Sequence, residues 1–184
     1  MSRIAIPNLD DSPEGSKDGL AAVHSQLGVV PNLFRLIGSS PAVLSGFLGF
    51  SGALRKTLDV KTRERIALAV AQVNGCDYCL SAHTYLGLHL AKLSPEEIAQ
   101  NRNGTSGDAK ANAAVVFAHK VAKERGHISD ADLAEVRIVG FHDSEIVEII
   151  ALVAENSFTN YLNEAAKTDI DFPAVLASEV EQAA

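Results

Sequence analysis

The sequence contains no tryptophan, one methionine and only two cysteines in 184 residues, and its aromatic content is 5%. Two cysteines three positions apart cannot frame a secreted disulfide scaffold, which uses several bridges closing long loops. The pair, Cys76 and Cys79, is therefore local chemistry. No stretch reaches the ~18 uncharged apolar residues of a membrane-spanning helix, and the opening MSRIAIPNLDDSPEG lacks an apolar run of signal-peptide length. A cytoplasmic protein with no membrane partner is expected. Blocks of lysine and arginine are missing too. With 16 basic and 23 acidic residues the net charge is −7, a field that repels phosphate backbones and argues against nucleic acid as a partner. There is no low-complexity segment and no fixed repeat, which excludes solenoid architectures.

What is present is aliphatic sequence at helical spacing. An apolar content of 47% is enough to build a core without staples, and the length suits one domain. Apolar residues recur every three to four positions rather than alternately, so the chain reads as an all-α single-domain helical bundle. Residues 1–16 read as an arm, 17–173 as the helical domain and 174–184 as a tail or short helix. Helices are expected over Asp18 to Leu27, from VPNLF, from Pro41 to about Leu58, over 61–74, from Cys76 to about residue 93, from SPEEIAQ, over 107–125, from a Ser129 or Asp130 cap to about Gly140, and from an Asp143 cap to about Lys167. The DFP at 171–173 is read as the break after the last of these, and helix faces this apolar imply a homo-oligomer.

The chemistry concentrates in Glu64, Cys76, Cys79 and His83. On one helix Cys76, Cys79 and His83 lie at i, i+3 and i+7 and share a face. A thiol pair at a helix start can close a disulfide without moving the backbone, and the positive end of the helix favours thiolate. Glu64 is out of phase with that face on a straight helix. A break at Asn74-Gly75 lets two packed helices bring it across. Burial raises the proton affinity of a carboxylate, the property a general base needs near neutrality, and His83 can relay the proton.

The segment ERIALAVAQVNGCDYCLSAHTYLGLHLAKLSPEEI, which overlaps a core motif placed at 61–93, resembles the alkylhydroperoxidase D and carboxymuconolactone decarboxylase superfamily. The flanking VPNLFRLIGSSPAVLSGFLGF and ENSFTNYLNEAAKTDIDFP are similar to its longer, peroxidase-related branch. The resemblance implies an all-α domain that reduces hydroperoxides without metal or other cofactor, Cys79 attacking and Cys76 resolving. Glu64 and His83 would carry the proton, with Tyr78 in their surroundings, where some members have a histidine. It also implies a dithiol electron donor, such as a lipoyl-bearing protein, and a trimeric or hexameric assembly. Asn156, Asn160 and Asn163 form one polar stripe on the last long helix and are candidates for a pocket border or a subunit contact.

Other readings stand beside this one. A CxxC with His83 offers three zinc-ligand types, but no second CxxC or HxxxH supplies a fourth, His89 being a loose candidate. A thioredoxin-like role needs a strand before the motif, and none is visible. Buried cysteines can also be inert packing, and Glu64 can be a solvated first-turn residue. On the same fold, a γ-carboxymuconolactone decarboxylase-like lyase would use Glu64 and His83 alone, and a redox-sensing oligomer module would use the thiols as a switch. His24, His89, His119, His127 and His142 share no spacing and are assigned to surface or capping roles.

Overall fold

Side-chain caps decide where many of the helices start. Ser40, Asp59, Ser94, Asp108 and Ser129 each accept the backbone N–H three residues on, which satisfies a donor the helix leaves orphaned. Pro41 and Pro95 follow two of these caps, where their missing N–H costs nothing. The computed structural model describes residues 2–179, and among these residues it contains nine α-helices and no strand. They are α1 (Glu14–Leu27), α2 (Asn32–Ile37), α3 (Pro41–Leu54), α4 (Val60–Val73), α5 (Asp77–His89), α6 (Pro95–Arg102), α7 (Ala109–Lys123), α8 (Asp130–Ile138) and α9 (Asp143–Ala166). The all-α class read from the apolar spacing is the observed one. No helix among the described residues is long and apolar enough to cross a membrane.

Several boundaries differ from the sequence reading, each for a local reason. Helix α1 begins at Glu14 rather than Asp18, so the arm is shorter. Its glycines serve packing on α3, since a Cβ at Gly19 would sit 2.9 Å from Leu44 Cδ2. Helix α3 stops at Leu54, where Thr57 Oγ1 donates to the Leu54 carbonyl at 2.7 Å. Helix α5 ends at His89, and Lys92 beyond it takes φ 55°. The N-cap of α9 is His142, not Asp143: the Glu145 carboxylate accepts the His142 N–H at 2.8 Å. At its other end α9 stops at Ala166, and Lys167 turns left-handed at φ 48°, well before the DFP segment.

Helix α4 is the centre of the bundle and packs against α5, α6, α7 and α9. Its run Ile66–Ala71 is enclosed on every side, as an all-round apolar helix must be. Ile66 and Val70 join a core with Ala114, Phe117, Ile149 and Val153 from α7 and α9. Leu68 and Ala71 join a second core that contains both cysteines, Tyr78, Leu80 and Ile98. Leu20, Ile37 and Leu44 close a third over α1–α3. Each enclosed Leu, Ile, Val or Phe side chain contributes roughly 1.5–3 kcal/mol on burial.

The tail is not a helix over 174–179. Residues 168–179 return as a strap across the start of α5, with Ile170, Phe172, Val175 and Ala177 packed on the second core. Ala177 N–H donates to Asp77 Oδ1 at 2.7 Å, Val175 N–H to Ser81 Oγ at 2.9 Å, and Arg102 Nη2 to the Leu176 carbonyl at 2.8 Å. Residues 180–184 of the expected tail lie outside the described residues.

Candidate active site

The site is built on the break between α4 and α5. Gly75 takes φ 65°, a left-handed conformation that glycine adopts without cost, and ends α4 one residue after its cap Asn74. Cys76 is then extended (φ −91°, ψ 98°) and serves as the N-cap of α5. Its Sγ accepts the Cys79 N–H at 3.3 Å, the place usually taken by a serine or aspartate oxygen. Only Cys79 therefore lies inside the first turn. Both thiols are free, with Cys76 fully enclosed and Cys79 3% exposed.

Around Cys79 Sγ the chain places hydrogen-bond donors. Asn163 Nδ2 donates to it at 3.3 Å from α9, 84 residues away in sequence. The Cys76 thiol is the strongest influence, and its donated hydrogen bond favours the Cys79 thiolate. Burial opposes the charge, while the His83 charge and the amides of Asn163 and Asn160 support it, and the Cys79 pKa falls to about 7. The Cys76 thiol moves the opposite way. Its proton is held by the bond to Cys79, by burial and by the negative charge next to it. The arrangement thus favours the thiolate at Cys79, with Cys76 as its protonated donor.

Glu64, 9% exposed at one end of the enclosed run of α4, meets His83 Nδ1 through Oε2 at 2.8 Å. Burial disfavours a charged His83 imidazole, but the Glu64 carboxylate, by charge and by hydrogen bond, and the negative charge of Cys79 and Glu155 outweigh it and raise the pKa. The structure so brings together all four residues of the motif. Cys79, Glu64 and His83 line one cavity of about 410 Å³, whose walls include Phe34, Phe47, Tyr85, Leu152 and Phe172. Arg55, Arg63 and Glu155 also line it.

The remaining candidates divide. Tyr78 is a wall of the cavity: its hydroxyl accepts the Leu33 N–H at 3.1 Å, tying α2 to the site, and its ring meets Phe172 edge-on at 5.9 Å. The asparagine stripe is buried within the chain, with exposures of 7%, 0% and 2% for Asn156, Asn160 and Asn163, so it is not a subunit contact. Asn156 lines the cavity, while Asn160 and Asn163 surround the thiol. His89 packs on Tyr85 with its ring tilted, the centroids 4.4 Å apart, and no group of three or more His, Cys, Asp or Glu among the described residues is arranged to hold a metal. Sequence reasoning missed Asn74, whose Nδ2 donates to Asn160 Oδ1 at 2.9 Å, and Phe172, read as part of a helix breaker. The polar stripe on an apolar helix was a signal for the asparagines. Nothing in the sequence marked the strap.

Residues 41–124 match the carboxymuconolactone decarboxylase family. An uncharacterized peroxidase-related protein from Ralstonia eutropha JMP134, described as an alkylhydroperoxidase AhpD core, superposes with a TM-score of 0.81 at 25% identity over 92% of each chain. A second uncharacterized peroxidase-related protein, from Silicibacter sp. TM1040, gives 0.79 at 25% identity over 91% of each. The debrominase Bmp8, as a variant bound to 2,3,4-tribromopyrrole, shares the fold with a TM-score of 0.77 at 19% identity over 93% of this chain and 94% of its own. No curated protein matches the sequence.

Proposed function

We propose that the protein is a cofactor-free thiol peroxidase and disulfide reductase acting on hydroperoxides, a reading supported by the match of residues 41–124 to the carboxymuconolactone decarboxylase family and by the alkylhydroperoxidase D-like fold. One observation carries the reading: Cys79 Sγ, acidified by Cys76 and Asn163, opens onto the same cavity as the Glu64–His83 pair. The thiolate is the nucleophilic form of cysteine, and a pKa near 7 keeps much of Cys79 ionised without making it a poor nucleophile.

The Cys79 thiolate attacks one peroxide oxygen, so an S–O bond forms and the O–O bond breaks. Sulfur loses two electrons, and the leaving alkoxide takes the proton of His83, which Glu64 holds in place through Nδ1. Neutral His83 then accepts the Cys76 proton as that sulfur attacks Cys79, and returns it to the departing hydroxide as water. The product is a Cys76–Cys79 disulfide. An external dithiol must reopen it. With Cys76 enclosed, the donor's thiol reaches the bond through the cavity at Cys79, which suits a slender arm such as a lipoyl group on its carrier protein. A homo-oligomer, a trimer or hexamer by family resemblance, accounts for the exposed Val147, Ile150, Phe158 and Tyr161 along α9.

A lyase of the γ-carboxymuconolactone decarboxylase kind would use the same Glu64–His83 pair, but the acidified Cys79 has no task in it. The deciding experiment is thiol titration with mass spectrometry of the reduced protein before and after an organic hydroperoxide, on wild type, Cys76→Ser and Cys79→Ser. A Cys76–Cys79 disulfide in wild type and a trapped sulfenic acid on Cys79 in Cys76→Ser are expected. Thiols that survive excess peroxide would refute the reading.

A further inference from the structure

The cavity in front of Cys79 holds two guanidinium groups that no carboxylate among the described residues pairs with. Five Phe and Tyr rings line it, from Phe34, Phe47, Tyr78, Tyr85 and Phe172, and much of the remaining wall is aliphatic. Into this apolar wall come Arg55 from the end of α3 and Arg63 from the first turn of α4. Each is held by one neutral acceptor: Arg55 Nη1 donates to Gln26 Oε1 at 2.6 Å, and Arg63 Nη1 donates to the Leu58 carbonyl. Arg65, two positions on, instead pairs with Glu97 at 2.7 Å. Of the two carboxylates in the lining, Glu64 is bonded to His83, and the charge of Glu155 acts on the same imidazole. The half-buried Arg63 thus keeps donors in a planar fork, beside apolar side chains and without a counter-charge, an arrangement that matches a carboxylate. The chain as a whole carries −7, so an anion is attracted only where cations gather in this way.

We infer that the substrate is an alkyl or arylalkyl hydroperoxide that carries a carboxylate: Arg63, with Arg55 at the rim, binds the carboxylate, the aromatic walls take the apolar body, and the hydroperoxide lies at Cys79 and His83. The inference rests on the peroxidase reading and narrows it to a substrate class. His83 lies one turn beyond Cys79 on α5, about 6 Å along the axis, and Arg63 directly precedes the Glu64 that meets it. The start of α4 is therefore about level with the imidazole and one turn past the sulfur, which leaves room for an apolar spacer between the two ends of the ligand. A peroxide without an anionic group reacts without the arginine contact. Because that contact is made away from the reacting atoms, it lowers the half-saturating concentration rather than speeding the bound step.

The test compares cumene hydroperoxide with its para-carboxylate, two reagents that present the same hydroperoxide and differ in one charge. Oxidation of the thiols in the reduced full chain is followed in a single turnover against reagent concentration, which requires no electron donor. In wild type the carboxylate is expected to react about tenfold faster or more at low concentration, to half-saturate at a lower concentration, and to lose its advantage as salt is raised. Arg63→Gln is expected to bring the ratio of the two rates to within about twofold of unity, and Arg55→Gln to lower it in part. The ratio cancels any change in Cys79 ionisation, because both reagents meet the same thiolate. Arg55 is exposed, so Arg55→Gln serves if Arg63→Gln does not fold. Equal rates in wild type, or a preference that both substitutions leave intact, would overturn the inference and leave the peroxidase reading standing. Thiols that survive both reagents would remove the peroxidase reading, and the substrate class with it.

Discussion

Replacing Cys76 by serine or by alanine separates two roles that its sulfur holds at once. As N-cap it accepts the Cys79 N–H at 3.3 Å, and as thiol it is the leading cause of the low Cys79 pKa. The Cys79 pKa falls from an ordinary 9.0 to about 7, a factor of about 100 in ionisation at fixed pH. A hydrogen bond to a charged group is worth about 1.5–3 kcal/mol, or roughly one to two pKa units. Serine keeps an O–H that can both cap and donate, so Cys76→Ser should leave the Cys79 pKa within about half a unit of wild type. Alanine does neither, and Cys76→Ala should raise the pKa by about one to two units. The assay is the pH profile of single-site alkylation, checked against the ultraviolet absorbance of the thiolate. At pH near 6 the alanine variant should react about ten- to a hundredfold more slowly than the serine variant, and the two should converge at high pH once both are ionised. Identical profiles for serine and alanine, or a Cys79 titrating near its ordinary value in the reduced wild type, would show that Cys76 does not acidify its neighbour.

Two further outcomes follow from the ion pairs on α4. Because Glu64 raises the His83 pKa, Glu64→Gln should lower it, visible as a downward shift of the imidazole titration by NMR, and should slow Cys79 alkylation near neutral pH with the helical signal unchanged; an unmoved His83 titration would detach Glu64 from the relay. Glu97 anchors the 103–107 loop. Burial opposes its charge, but hydrogen bonds from Ser106, Gly107, Asn101 and Arg65 prevail and hold its pKa at about 2 against an ordinary 4.5. A depressed pKa contributes stability that is complete above about 4.5 and lost as the pH falls toward 2. After discounting for solvent screening, Glu97→Gln should therefore cost about 1–2 kcal/mol at neutral pH and much less in acid, measured by urea unfolding at both.

Much of the bundle is legible because its signals are local. Ser40-Pro41 and Ser94-Pro95 start helices through atoms within three residues, and Asn74-Gly75 ends one through a single left-handed glycine. Errors came at helix starts, where a contact outside the pattern that was read set the boundary. Gly15 falls in the segment read as an arm, yet α1 runs through it, packed closely on Pro41 of α3. His142 takes the cap of α9 because the Glu145 carboxylate reaches back to its N–H, an arrangement that Asp143 as a candidate cap concealed.

The sequence by itself determined the helical class, the placement of two thiols at a helix start, and the presence of a carboxylate and an imidazole within about one helix length of them. These follow from periodicity and from turn chemistry, which act over a few residues. Only the tertiary structure decided which thiol is acidic, because the donors to Cys79 come from Cys76 on one side and from Asn163 on another helix. It also decided that Glu64 meets His83, that Asn74 holds Asn160, and that residues 168–179 cover the start of α5. Such contacts join residues up to 100 positions apart, and no local pattern encodes which of many possible partners a buried polar group will find.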